Sequence, residues 1–271
     1  MLPRLAVPAA ALLLLLLGAC SQGAPGDAGS QGPSDAAPQQ VRAVAPPVLG
    51  ACRLLTPSDV AESTNVTPTV DCDQAHTSQT FAVGSFPEEL VDRGDEELGA
   101  YVFRTCDDKF RSFLGGDESL VMRSLLTWAW FRAPDEVWDE GAHWYRCDVI
   151  GGGPKSEQLL DLPASAKGLL LGKPDDRWMV CAQGPTVAGS HKVPCAQPHD
   201  WRAVTTIKLG EPKDPYPGDR MVEVRTRDFC SDSVGAWMNY PVDYDFGYTY
   251  FHAAEWKAGN RRSICWAKTD Q

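Results

Sequence analysis

One seven-residue pattern occurs twice in the chain, and this duplication restricts the fold more than any other feature. Val70-Asp71-Cys72-Asp73-Gln74-Ala75-His76 and Val193-Pro194-Cys195-Ala196-Gln197-Pro198-His199 both read V-x-C-x-Q-x-H. Self-similarity of this kind means one supersecondary unit built twice. The cysteines keep step with it. Apart from Cys20 they fall into two sets of four, Cys52, Cys72, Cys106, Cys147 and Cys181, Cys195, Cys230, Cys265. An even set in an exported chain reads as disulfides. Four cysteines allow three pairings, and local order favours one of them. Cys52 and Cys72 flank a single loop, as do Cys181 and Cys195. Cys106 and Cys230 lie on predicted helices, with Cys147 and Cys265 on strands downstream. The preferred pairs are therefore Cys52–Cys72, Cys106–Cys147, Cys181–Cys195 and Cys230–Cys265.

The export reading comes from the N-terminus. Arg4 precedes the apolar stretch Leu5 to Leu17, which is too short to span a bilayer as a mature helix. Leu17-Gly18-Ala19-Cys20 follows and resembles the lipobox of bacterial lipoproteins. That resemblance implies cleavage before Cys20, a diacylglycerol group on its sulfur and attachment to the outer face of the cell membrane. Residues 21–50 are rich in Gly, Pro, Ala, Ser and Gln and bury too little to fold, so they read as a tether. The expected organisation is a signal peptide at 1–20, a tether at 21–50, one repeat at 51–154, a linker at 155–175 and a second repeat at 176–271. The net charge of −11 argues against nucleic acid as a partner. The charge is uneven: residues 51–170 carry 10 Lys/Arg against 21 Asp/Glu, and residues 171–271 carry 13 of each.

Within the first repeat, Thr77 to Phe86 alternates as a strand. Asp95 reads as the N-cap of a helix whose apolar face holds Leu98, Tyr101, Val102, Cys106, Phe110 and Phe113, ending at Gly115-Gly116. Leu120 to Arg132 reads as a long strand, Pro134 opens a helical turn that Gly141 ends, and His143 to Ile150 is a strand. Leu169 to Leu171 carries a weaker strand signal. The second repeat follows the same order. Trp178 to Ala182 and Trp201 to Leu209 read as strands, and Val193 to His199 as a turn. Asp219 then caps a helix with Val222, Phe229, Cys230, Val234 and Trp237 on one face, and Tyr244 to His252 and Ser263 to Lys268 are strands. Each unit is thus a small, mainly antiparallel sheet with one main helix, which makes the fold class α+β.

The repeated V-x-C-x-x-x-H turn, the helix cysteine, and Pro134, Trp138, Gly141 and Cys147 resemble the actinobacterial septum formation domain. Trp256, Gly259 and Cys265 match its ending in the second half, where His252 replaces the proline. The resemblance implies a cell-envelope protein associated with division and brings no enzymatic activity or ligand with it. In that family an acidic residue often follows the histidine as H-x-x-E; here the positions hold Gln79 and Arg202.

Zinc would need thiolate, which an oxidising compartment removes, so no metal and no other cofactor is expected. His76 and His199 are expected to bond a turn carbonyl and lock the loop, or else to contact a ligand. No G-x-S-x-G and no glycine-rich phosphate loop occurs, and no catalytic residues are assigned. Trp128, Trp130, Trp138 and Trp256 form a candidate aromatic surface for glycan or protein. The expected function is a non-catalytic binding or scaffolding module, held to the membrane by its lipid and linked to septum formation. Its partners would be an envelope or division protein or a cell-wall glycan. An envelope hydrolase acting on wall material and a structural spacer are the alternatives.

Overall fold

The computed structural model describes residues 45–153 and 156–269. The signal peptide, Cys20 and most of the tether lie outside the described residues. The fold is α+β: two antiparallel sheets, each with one long helix, four disulfides and a shared interior.

The first repeat runs β1 (Cys52–Arg53), α1 (Pro57–Val60), β2 (Ser78–Ser85), α2 (Asp95–Leu114), α3 (Glu118–Met122), β3 (Leu126–Arg132), α4 (Asp135–Trp138) and β4 (Trp144–Gly151). The second runs β5 (Val180–Gln183), β6 (His191–Pro194), β7 (Trp201–Lys208), α5 (Asp219–Trp237), β8 (Phe246–Thr249), α6 (Ala253–Lys257) and β9 (Arg262–Lys268). The sheet orders are β1-β2-β4-β3 and β6-β5-β7-β9-β8. Without the hairpin strand β6 these are the same topology.

The registers agree residue by residue. Cys52 opposes Gln79 as Cys181 opposes Arg202. Ala82 opposes Cys147 as Thr205 opposes Cys265, and both strands slip register immediately before, between Thr80 and Ala82 and between Ala203 and Thr205. A bulge at the same place in both copies is a built feature of the unit. The disulfides are Cys52–Cys72, Cys106–Cys147, Cys181–Cys195 and Cys230–Cys265.

α2 packs on one face of the first sheet through Leu98, Val102, Cys106, Phe110 and Leu114, residues spaced by four along the helix. Against them lie Phe81, Tyr145, Cys147 and Val149, together with Trp178, Met179, Cys181 and Cys195 of the second repeat. One apolar core thus spans both copies. Leu125 N–H donates to the Trp178 carbonyl at 2.8 Å and Val180 N–H to the Arg123 carbonyl at 2.9 Å, joining the repeats through backbone. The opposite face of the first sheet is also covered, by Leu55 and Leu159 over Ala129, Phe131 and Ile150.

Several expected elements differ. The α2 N-cap is Gly94, because Asp95 turns to Arg132 at 3.0 Å instead of capping; the α5 N-cap is likewise Gly218. The expected strand from Leu120 is divided. Asp117 accepts the Leu120 N–H at 2.7 Å, caps α3, and delays β3 to Leu126. Leu169 to Leu171 is a turn, in which Gly168 and Leu170 donate N–H groups to the carbonyls of Phe113 and Leu114. It therefore supplies partners that the last turn of α2 lacks. On α5 the buried stripe is Val222, Thr226, Cys230 and Val234; its four-residue step leaves Phe229 on the flank and carries Trp237 past the packed stripe. Only Phe246 to Thr249 of the expected Tyr244–His252 strand is strand, since His252 is the N-cap of α6.

Candidate functional site

The two motif turns form matching corners. In the first, the Cys52–Cys72 bridge ties the turn to β1, and His76 is 0% exposed with its Nδ1–H donating to the Gln74 carbonyl at 2.8 Å. In the second, Cys181–Cys195 does the same, and His199 Nδ1–H donates to the Gln197 carbonyl at 2.7 Å. Each ring thus closes its own turn, and in both the Nε2 atom is buried without a partner.

Beside the corners the repeats diverge. In the first, the segment between the repeats lies along the corner in extended form and is bonded at every second residue. Leu160 N–H donates to the Gly151 carbonyl at 2.9 Å and Leu162 N–H to the His76 carbonyl at 2.8 Å. Gln79 then pairs with the same segment twice. Its Nε2 donates to the Ala164 carbonyl at 3.4 Å, and its Oε1 accepts the Ala166 N–H at 2.8 Å. Leu162, Ala166 and Leu170 are buried there. The segment occupies a groove bounded by Gly151, His76 and Gln79.

Register places Thr269, His199 and Arg202 at the equivalent positions of the second repeat. These three line an open cavity of about 400 Å³, with Arg123, Lys173, Asp176, Met179 and Trp237 among its other walls. What is filled by chain in one copy is open, among the described residues, in the other.

The open groove is basic. Arg202 pairs with Asp176, and this contact, helped by Lys173 and His199, holds the Asp176 carboxyl below the usual range. Arg123 donates to the carbonyls of Ser119 at 3.2 Å and Val204 at 3.0 Å. Burial lowers the pKa of its guanidinium, while Asp117 raises it and Arg202, of like charge, lowers it further. Thr269 Oγ1 is buried with no partner among the described residues. A larger cleft of about 980 Å³ lies between α2 and α6, where Asp107 and Glu118 are interleaved with Arg104, Arg111 and Lys257.

The four tryptophans expected as a surface do not make one. Trp128 and Trp130 turn toward α2, where Phe103 lies 5.9 Å from the Trp128 ring and a Cβ on Gly99 would come within 3.3 Å of Trp130. Trp138 packs on Phe86 at 5.6 Å and His143 at 4.9 Å. Trp256 is 7% exposed, with the Arg261 guanidinium 3.8 Å above its ring. Trp128 and Trp130 on β3 and Trp138 on α4 are half-buried against these neighbours, and Trp256 on α6 is buried. The exposed tryptophan at the groove is Trp237, at 51%. Of the polar groove residues, only His76, His199 and the Gln79/Arg202 pair stood out in the sequence. Arg123, Lys173, Asp176 and Thr269 did not; the signal available was the exchange of Gln79 for Arg202 three residues after the histidine.

The family model described as septum formation matches residues 19–147 and, in an overlapping alignment, 49–265. No curated protein and no solved structure matches the chain. With the family match covering most of its length and the same bridged sheet-and-helix unit built twice, the chain belongs to the septum formation family.

Proposed function

We propose that this protein is an exported, lipid-anchored envelope module that acts in septum formation by binding a partner rather than by catalysing a reaction. Family membership supports the link to septation. The Leu17-Gly18-Ala19-Cys20 sequence and four disulfides support export, with acylated Cys20 holding the chain to the outer face of the cell membrane. The observation that carries the binding reading is the groove pair: in the first repeat an extended segment docks beside the motif corner, and in the second the same place is open. The partner is an envelope or division protein.

Proximity labelling from the full chain in dividing cells tests this. Enrichment of division or wall-synthesis proteins is expected; recovery of neither class contradicts the septal role. Incorporation of labelled palmitate, lost with Cys20→Ala together with membrane retention, tests the anchor. A Cys20→Ala protein that stays membrane-bound contradicts it.

A further inference from the structure

The two grooves differ at the residue that pairs with the segment at Ala164 and Ala166. Gln79 is both donor and acceptor, and it uses both functions on a chain that continues past it, at the Ala164 carbonyl and the Ala166 N–H. Arg202 occupies the same register position and can only donate. A peptide continuing through the second groove would leave an N–H unpaired where Ala166 N–H is satisfied in the first. A peptide ending there would instead present two carboxylate oxygens, which a guanidinium can take as a charge-assisted pair.

We propose that the open groove of the second repeat binds the C-terminal end of an extended peptide, with Arg202 receiving the terminal carboxylate. This inference rests on the reading of the protein as a binding module and names its ligand class. Three further observations support it. Arg123 and Lys173 add positive charge to the same walls, and Asp176 is the one acid among them. The Asp176 carboxylate already sits on Arg202, so a carboxylate fits at that guanidinium. Thr269, at the register position of Gly151, lines the same walls, and its buried Oγ1 has no partner among the described residues. The unpartnered Nε2 of His199 is not counted, because His76 is in the same state beside the filled groove. The histidine belongs to the corner, and the ligand-facing group is the guanidinium of Arg202. Asp176 competes with the ligand and leaves Arg202 as the peptide enters.

The test is calorimetric titration of the full chain with acetyl-Leu-Asn-Leu-Pro-Ala carrying a free C-terminus and, separately, a C-terminal amide. The probe follows Leu160 to Ala164 with Asn in place of Asp161, so the terminus is its only carboxylate. The acid form is expected to bind about tenfold or more tightly than the amide, the scale of one charge-assisted pair. Arg202→Gln, which installs the first repeat's own residue, is expected to abolish the difference. Asp176→Asn is expected to tighten acid binding, and it serves as the second variant should Arg202→Gln lower the unfolding midpoint. Equal binding of acid and amide overturns the carboxylate assignment, as does an acid preference that survives Arg202→Gln. Displacement of the acid by equimolar acetate or inorganic phosphate reduces the groove to a general anion site and also overturns it. Binding of neither peptide removes the groove as a docking place while leaving partner capture at the septum, measured by proximity labelling, standing on its own result.

Discussion

Removing the carboxylate of Asp148 is expected to be among the most destabilising single changes in this protein. Asp148 is 0% exposed, and its oxygens meet Arg146 Nε at 2.9 Å, Thr80 Oγ1 at 2.7 Å and Arg53 Nη1 at 3.9 Å. Both arginines are buried as well. Arg146 is held further by Asn65, at 3.1 Å to its carbonyl and 2.7 Å to its side chain, and stacks 4.5 Å over Phe131. Arg53 has less support. Burial, with Arg146 nearby, lowers its pKa to about 10, against which Asp148 acts. Asp148→Ala leaves two buried guanidinium groups facing each other with no counter-charge, and breaking such a pair costs about 3–5 kcal/mol. For a chain of this size that corresponds to a fall in Tm of roughly 6–20 °C. The second repeat shows what an apolar solution looks like, since register places Ala182, Ala203, Ile264 and Trp266 where the first has Arg53, Thr80, Arg146 and Asp148. The triple change Arg53→Met, Arg146→Met, Asp148→Leu is therefore expected to retain more stability than Asp148→Ala alone, because it removes the charges together. Non-reducing thermal and urea unfolding followed by tryptophan fluorescence measures both. A loss below ~1 kcal/mol for Asp148→Ala, or a triple variant less stable than the single one, would refute the reasoning.

Gln79→Arg leaves the buried Ala166 N–H unpaired and is expected to cost about 1–3 kcal/mol, with faster amide exchange confined first to residues 160–166; unchanged exchange there contradicts the filled-groove account. Removing the Cys106–Cys147 bridge, which closes 41 residues, is expected to lower the unfolding midpoint more than removing Cys52–Cys72, which closes 20, by about 0.6 kcal/mol on loop entropy. The reverse order in Cys→Ala pairs would mean that packing around the bridges outweighs loop length. The Arg202 contact depresses the Asp176 pKa in the folded state, so the stability it carries is fully present above pH 3.8 and fades as pH falls through the lower folded value. Asp176→Asn should remove this part of the acid-unfolding curve, and superimposable curves would show that the pair carries none of it.

The skeleton of the fold was legible because cysteine spacing and helix periodicity are local signals. Leu98, Val102, Cys106 and Phe110 announce the buried stripe of α2 directly. The groove was not legible for a physical reason. Its filling segment, Leu160 to Ala166, has no periodic pattern, and its open counterpart draws Arg123, Asp176, Arg202 and Thr269 from separate stretches that meet only once the two sheets share a core. The aromatic strands misled for a related reason. Alternation tells which rings share a face of β3, but not that α2 covers one face and Leu55 with Leu159 the other. The exchange of Gln79 for Arg202 was visible as two letters, and it acquired meaning only when register put both opposite the first cysteine of their repeats.

The most direct test of the central claim is photo-crosslinking from the groove itself. Trp237, which lines the open groove of the second repeat, is replaced in the full chain by p-benzoyl-phenylalanine and irradiated in dividing cells; the same probe at exposed Val66, in the first repeat, is the control. A covalent adduct to a division or wall-synthesis protein from position 237, absent from position 66 and lost with Arg202→Gln, is the predicted result. Equal adducts from both positions, or adducts from position 66 alone, would contradict the account.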